Sequence, residues 1–345
     1  MRVSITSIGC SVPPLSLGNA ELAARLGVSE EWLFARSGIR ERRVGTGGVS
    51  DLIVTAATQC LAQRQLDADA VDCIVVATIT PDYIVPSTAA IVQRKLGARC
   101  AWGFDLSAAC SGFTYALPTA ESLVRAGRAE RVLLCAADRM SHLTNPDDRA
   151  TAVLFGDAAT AVLLERVPES EGGIIDVACR TAAADERLLY VPAGGSARPA
   201  SPDTVRRREH YLVQNGPAVF RSAVERMTDI TAEVLARNDL SAADIDWFVP
   251  HQSNRRIIDA VARRLGLPPG KVACNIECRG NTSSASIPLC LSELHQSGKL
   301  WSGARVVLAS FGAGFTTAAV YLQWTIASIP SAAAQLQKQS AAGRS

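Results

Sequence analysis

Long hydrophobic runs are absent from this chain of 345 residues: none approaches the ~20 apolar positions needed to span a bilayer. The opening residues alternate like a strand and lack the apolar core of a signal peptide, so the expected location is the cytoplasm. Net charge is only +2, from 35 basic and 33 acidic side chains, which leaves no overall field to attract nucleic acid or a membrane surface. Histidine is scarce, with four copies, and Cys274 and Cys278 stand without a histidine or a second cysteine pair nearby. No metal site is therefore expected. The ten cysteines are scattered through apolar stretches without paired spacing, which reads as reduced, mostly buried thiols. What is plentiful is core-forming material. Apolar residues make up 48% and charged residues 20%, the mark of a folded chain long enough for two halves of ordinary domain size.

Two stretches run in parallel. The first is a strand-like segment at 69–80 (DAVDCIVVATIT), a helix-like segment ending in Leu96-Gly97, another strand, and a small-residue turn at Cys110. The second is a strand at 243–252 (ADIDWFVPHQ), a helix ending in Leu265-Gly266, another strand, and the turn 281–286 (NTSSAS). Residues 127–138 then match 303–312, and 155–164 match 311–322. Nearly continuous apolar strands such as Cys73–Ala77, alternating with helices, predict an α/β fold with two mostly parallel, buried sheets. The expected organisation is an N-terminal half over 1–165, a C-terminal half over 166–327, and a poorly ordered tail over 328–345. Residues 166–215, with Gly172-Gly173, Gly194-Gly195 and Arg206–Arg208, read as a loop-rich connection and a wall of a substrate channel; the basic triplet reads as solvated surface.

In such sheets the chemistry collects at the carboxyl ends of strands. Three residues lie there. Cys110 follows a strand-like run and opens a helix-like one (DLSAACSGFTYA, 105–116), a position where unpaired N–H groups and the helix dipole favour a thiolate. His251 leaves an apolar strand beside a polar turn, and Asn281 sits in a glycine-flanked turn. Each has a plainer structural reading: a packed cysteine, a core histidine, an Asx turn. Together they supply a nucleophile and two hydrogen-bonding groups suited to acyl transfer, in which sulfur carries an acyl group while a carbonyl oxygen is stabilised.

Four stretches extend this: EWLFARSGIRER (31–42), AACSGFTYA (108–116), PHQSNRRI (250–257) and GNTSSAS (280–286). Through them, over residues 1–326, the chain resembles the β-ketoacyl-ACP synthase III family of the thiolase superfamily. The resemblance implies a duplicated five-layer αβαβα fold, a homodimer, and a triad of Cys110, His251 and Asn281. It implies acyl-CoA and malonyl-ACP as substrates, acyl carrier protein as partner, and no cofactor. Backbone N–H groups of Cys110 and Ala313 would hold the oxyanion. Trp32 and Arg149 would sandwich the adenine of CoA, Arg36, Asn254 and Arg256 would meet phosphate or pantetheine, and Gly216 and Phe220 would line the channel. Val85, Arg139, Met140, Phe155 and Phe311 would form the acyl pocket.

The chain departs from the family at three places. Its glycine-rich turn is Phe311-Gly312-Ala313-Gly314, where an alanine disfavours positive φ. Val85 stands where some members place a phenylalanine that shortens the partner subunit's pocket, which implies room beyond acetyl. Arg139, with His142 close behind, lies where apolar residues are common. Facing inward, it would suit a dicarboxylic primer such as glutaryl-CoA, as in pimelate formation for biotin. Paired to Asp138 or Asp147, it would be structural. The final turn lacks the second cysteine of a biosynthetic thiolase, Asn281 argues against an ester-forming acyltransferase, and Cys110 argues against a non-catalytic chain-length factor.

Overall fold

A computed structural model describes residues 1–182 and 186–327; the tail expected from Ser328 onward lies outside the described residues. In chain order the first half carries β1 (Arg2–Ser11), β2 (Leu15–Gly18), α1 (Asn19–Leu26), α2 (Glu30–Ser37), β3 (Glu41–Val44), α3 (Val49–Gln63), β4 (Cys73–Ala77), α4 (Thr88–Leu96), β5 (Trp102–Leu106), α5 (Gly112–Arg125), β6 (Val132–Arg139), α6 (Met140–Leu143) and β7 (Asp157–Val167). The second carries β8 (Gly173–Thr181), β9 (Leu189–Tyr190), α7 (Pro202–Arg206), β10 (Val213–Gln214), α8 (Gly216–Arg237), β11 (Trp247–Pro250), α9 (Arg255–Arg264), α10 (Ile276–Arg279), α11 (Ser286–Gln296), β12 (Arg305–Gly312) and β13 (Thr316–Gln323).

Two sheets repeat one order, β1-β7-β6-β4-β5 and β8-β13-β12-β11. The apolar runs of β4 and β6 are explained by burial on both faces. Alternate residues Cys73, Val75, Ala77, Val132, Leu134 and Ala136 join a central core with α5 and α11. Ile74, Val76, Leu133, Cys135 and Ala137 face α3 and α4 instead. On the far side α8 and α9 cover the second sheet, α9 through Ile257 and Val261. The layers are therefore helix, sheet, helix, sheet, helix. Among the described residues no helix is long and apolar enough to cross a membrane, and no cluster of His, Cys, Asp or Glu could hold a metal ion.

The sheets are mixed, not mostly parallel. β4 runs parallel to β5 and β6, and β11 to β12, but β7 is antiparallel to β1 and β6, and β13 to β12 and β8. For β13 the reason is connection length: only a crossover of a dozen or more residues returns a strand parallel, whereas Ala313–Phe315 turns β12 straight into β13. The duplication is also incomplete. Where the first half has β5, the second has one bridge, Val272 with Phe248, between a 3-10 turn at Pro269–Lys271 and the start of α10 at Ile276. The stretch read as loop after residue 166 contains β8, an edge strand of the second sheet. Cysteine burial differs as well: all ten are free thiols, yet Cys60, Cys73, Cys135 and Cys290 are buried while Cys100, Cys179, Cys274 and Cys278 are exposed.

Candidate active site

Both halves deliver the same strained turn to the same place. Ahead of α5 a short 3-10 turn, Ala109–Ser111, holds Cys110, and ahead of α11 another, Ser283–Ala285, follows Asn281. Ala109 (φ +49°) and Ser283 (φ +52°) adopt left-handed backbone that non-glycine residues avoid, a strain that persists only where the surroundings impose it. The turns touch where the two central helices begin, and β11 brings His251 beside them. Cys110, His251 and Asn281 line one cavity of about 550 Å³. Asp138, at the end of β6, ties the halves together from behind. One of its oxygens accepts from Ile79 N–H (2.8 Å), Thr78 Oγ1 (3.1 Å) and Thr80 Oγ1 (3.1 Å). The other accepts from Ser284 N–H (3.2 Å) and Oγ (2.7 Å).

The Asx turn and the functional position are the same structure. Asn281 Oδ1 accepts the Ser283 N–H at 2.9 Å, leaving the amide nitrogen as the group with hydrogens to offer the cavity. His251 is buried, and burial lowers its pKa from the ordinary value to about 3, so the imidazole is neutral. Its Nδ1 lies 2.6 Å from Ser286 Oγ, which also accepts the Gln252 N–H at 3.4 Å. With that lone pair engaged, the arrangement that gives the hydroxyl proton a partner is Oγ–H donating to Nδ1. The ring then carries its proton on Nε2, a second donor for a carbonyl oxygen. Ser286 thus orients His251, and nothing in the sequence pattern singles it out.

Cys110 corrects the expectation of a thiol acidified by a helix start. It precedes the N-cap, Ser111, instead of lying in the first turn of α5. Burial pushes its thiol up to about 12, and the negative charge of Asp138 adds to the rise. A helix dipole is worth ~0.3–1 kcal/mol, less than the 1.4 kcal/mol of one pKa unit. Desolvation wins.

The glycine-rich turn also resolves. Ala313 is not among the residues with positive φ; the left-handed position is Gly314 (φ +131°), so the alanine is unstrained. Gly312 is the constrained residue: a Cβ there would lie 3.0 Å from both Cys110 N and Ala108 O, and 2.8 Å from Thr316 Oγ1. Bare backbone at 312 lets β12 close against the Cys110 turn and puts Ala313 on the cavity wall with Cys110.

Every expected contact residue at the mouth lines the cavity: Trp32, Arg36, Arg149, Gly216, Phe220, Asn254 and Arg256. Arg36 lies over the Trp32 ring (4.7 Å), Arg149 Nε donates to Leu26 O (3.0 Å), and Arg256 covers Phe220 (5.5 Å). Asn254 caps α9 by accepting the Arg256 N–H (2.9 Å) and donates to Arg36 O (3.0 Å), so its amide organises the arginines. Arg221 adds a fourth guanidinium, and among the described residues no carboxylate lines the cavity. Buried Arg42, from the 31–42 motif, donates to Val153 O (2.8 Å) and holds the wall from behind.

At the inner end Met140, Phe155 and Phe311 line the cavity as expected, joined by Ile79, Leu189 and Leu212. Arg139 and Val85 do not. Arg139 turns away to the carbonyls of Gly45 and Gly47, with Asp157 at 3.9 Å, in place of Asp138 or Asp147. Asp147 pairs with Arg208 (2.6 Å), and Arg206 and Arg207 pair with Asp203, so the basic triplet is a solvated face. Val85 is 82% exposed on the outer surface.

Known proteins resemble this chain in sequence and fold. The profile of the 3-oxoacyl-[acyl-carrier-protein (ACP)] synthase III family matches residues 104–183, and that of its C-terminal region matches 235–324. The β-ketoacyl-[acyl-carrier-protein] synthase III of Koribacter versatilis is 45% identical over 326 residues, covering 94% of this chain and 98% of the relative. The crystal structure of 3-oxoacyl-(acyl carrier protein) synthase III from Pseudomonas aeruginosa is 39% identical, covers 96% of this chain and 100% of that one, and superposes with a TM-score of 0.88. The priming β-ketosynthase of the R1128 polyketide pathway is 33% identical, covering 94% and 97%, with a TM-score of 0.85. The chain belongs to the β-ketoacyl-[acyl-carrier-protein] synthase III family and is an acyltransferase of that condensing type.

Proposed function

We propose that this enzyme condenses a neutral, apolar acyl primer, delivered by CoA, with malonyl-ACP through an acyl-Cys110 intermediate. The carrying observation is the polarity of one cavity: Cys110, His251 and Asn281 inside, and four arginines at the mouth with no carboxylate among the described residues. Guanidinium groups suit phosphates. Arg36 with Trp32, and Arg149, Arg221 and Arg256 around them, receive the phosphates and adenine of CoA and then the phosphopantetheine of the acidic carrier protein. The acyl chain passes Gly216 and Phe220 to Ile79, Met140, Phe155, Leu189 and Leu212. The Cys110 sulfur attacks the thioester carbonyl, and the N–H groups of Cys110 and Ala313 hold its oxygen. After CoA leaves, His251 Nε2–H and the Asn281 amide hydrogen-bond the malonyl thioester carbonyl while carbon dioxide departs, and the resulting enolate takes the acyl group from sulfur.

A glutaryl primer would need a cation at the inner end, and Arg139 is spent elsewhere. Homodimer formation is supported by β5, an unpaired edge strand with Trp102 47% exposed, near the exposed loop Tyr83–Val85. In a two-fold dimer joined along β5, Val85 reaches the partner's acyl pocket.

The test is incubation with acetyl-, isobutyryl-, octanoyl- and glutaryl-CoA, with intact mass read before and after adding malonyl-ACP. An acyl adduct that disappears in Cys110→Ala, followed by β-ketoacyl-ACP, is expected for apolar primers. No adduct from any primer, or one surviving Cys110→Ala, overturns the reading; a glutaryl preference overturns the primer class.

A further inference from the structure

A second cavity, of about 330 Å³, adjoins the active-site cavity, and among the described residues Phe155 alone lines both. The wall between them is thin. Met140 lines the first cavity and Ser141 the second; Val153 and Leu154 line the first and Ala152 the second. Hydrogen bonds hold this wall in place. The Asn281 N–H donates to Leu154 O (2.9 Å) and the Gly156 N–H to Asn281 O (3.0 Å), which clamps the backbone around Phe155 to Asn281. Ser141 donates its N–H (2.8 Å) and its hydroxyl (2.7 Å) to Asp157. The group left to open or shut a passage is the Phe155 side chain, buried against Met140 and Leu212. The second cavity suits hydrocarbon. Leu17, Leu22, Val44 and Ala152 line it, and its three hydroxyls are already paired: Ser16 with Glu41 (2.6 Å), Ser141 with Asp157, and Thr144 with Met140 O (2.7 Å). On its exposed side Glu21 and Arg25 pair with each other at 3.0 Å.

We propose that Phe155 sets the upper length of the acyl primer: its side chain is a partition, and the second cavity is the space a longer unbranched chain enters once that partition is gone. The inference rests on the acyl-Cys110 reading and deepens it. A chain anchored at Cys110 passes Met140 and Leu212 and meets Phe155. With the phenyl ring in place the chain ends there. Without it the two cavities are continuous, and each added methylene exchanges water for the apolar lining beyond. No unpaired hydroxyl or free cation waits on the far side for a polar end group, so the chain that fits is a saturated hydrocarbon and not a dicarboxylic one.

The test is a cycle of wild type, Phe155→Ala, Val44→Phe and the double variant. Each is acylated by dodecanoyl-CoA and by isobutyryl-CoA at low concentration, with the rate of adduct formation on Cys110 read by intact mass. Val44 lines the second cavity and not the first, and pairs with Leu15 on one face of the β2–β3 pair, so a phenylalanine there fills the space Phe155→Ala opens. The ratio of dodecanoyl to isobutyryl acylation is expected to rise about tenfold or more in Phe155→Ala, the worth of burying about two further methylenes. In the double variant it should fall back toward wild type, and Val44→Phe alone should leave it unchanged. No rise in Phe155→Ala, a rise that Val44→Phe does not reverse, or a drop on Val44→Phe with Phe155 still in place overturns the proposal. If Phe155→Ala does not fold, Phe155→Val decides by the same ratios. An intact isobutyryl adduct without the change in ratio sinks this inference alone; no adduct from either ester in wild type sinks the proposed function and this inference with it.

Discussion

Replacing Ser286 by alanine removes one hydroxyl that touches no substrate, yet it should slow one half of the reaction selectively. The bond to remove is the 2.6 Å contact with His251 Nδ1. A neutral hydrogen bond of this kind contributes about 1 kcal/mol net, a factor of roughly five in the bias toward the Nε2–H tautomer. Added freedom of the ring raises the expected loss to about tenfold in decarboxylation of malonyl-ACP. The ceiling is the ~10²–10³ typical of deleting a carbonyl donor outright, which His251→Ala measures. Acylation of Cys110 by acyl-CoA, followed by rapid quench and mass, should stay within about twofold, since His251 acts on the malonyl carbonyl. Placed on His251→Ala, the serine substitution should add nothing, because its effect passes through the ring. Equal losses in both half-reactions, or full additivity in the double variant, would refute the assigned tautomer and make Ser286 a packing residue.

Three further outcomes are expected. His251 is neutral in the fold down to about pH 3, whereas an unfolded histidine protonates near 6.5. The unfolded state therefore binds the extra proton between these values, and stability falls with pH by about 1.4 kcal/mol per unit. Urea titrations from pH 7 to 4.5 should show His251→Ala losing less by that slope; parallel slopes would contradict a buried neutral ring. Gly312→Ala should abolish Cys110 acylation, with a loss of about 1–3 kcal/mol in stability, because its Cβ meets Thr316 Oγ1 at 2.8 Å; wild-type acylation rates would show that the close approach is dispensable. Arg139→Ala should leave the ratio of glutaryl to isobutyryl acylation unchanged while lowering stability by about 1–2 kcal/mol, since the Gly45 and Gly47 carbonyls lose their donor. A selective loss of glutaryl would return Arg139 to the pocket.

How much was legible depended on whether a residue acts through type and order or through neighbours. Repeated order carried far. The strand before His251 was recognisable because its sheet is buried on two faces, which writes an apolar run into the chain. The strand before Cys110, β5, is instead a half-exposed edge strand, recognised by its β-type residues and its place ahead of a helix. Strand direction was not recognisable: an apolar run looks the same whether its neighbour is parallel or antiparallel, and β7 and β13 proved antiparallel. The duplication predicted a fifth strand in the second half, and only the structure showed that a single bridge at Val272 stands in its place.

Chemical identity was fixed locally and reactivity was not. Residue types at 110, 251 and 281, within turns of small residues, determined that a sulfur and two donors would meet at strand ends. Tertiary packing decided what each is at rest. Burial raises the Cys110 thiol and strips the charge from His251, because desolvation depends on everything around a group and outweighs a helix terminus. Packing also turned Arg139 outward toward Asp157, its partner across the β6–β7 pair, and placed Ser286, an ordinary serine by sequence, against the imidazole. Covalent order names the groups; only the folded surroundings set their protons and the directions in which they point.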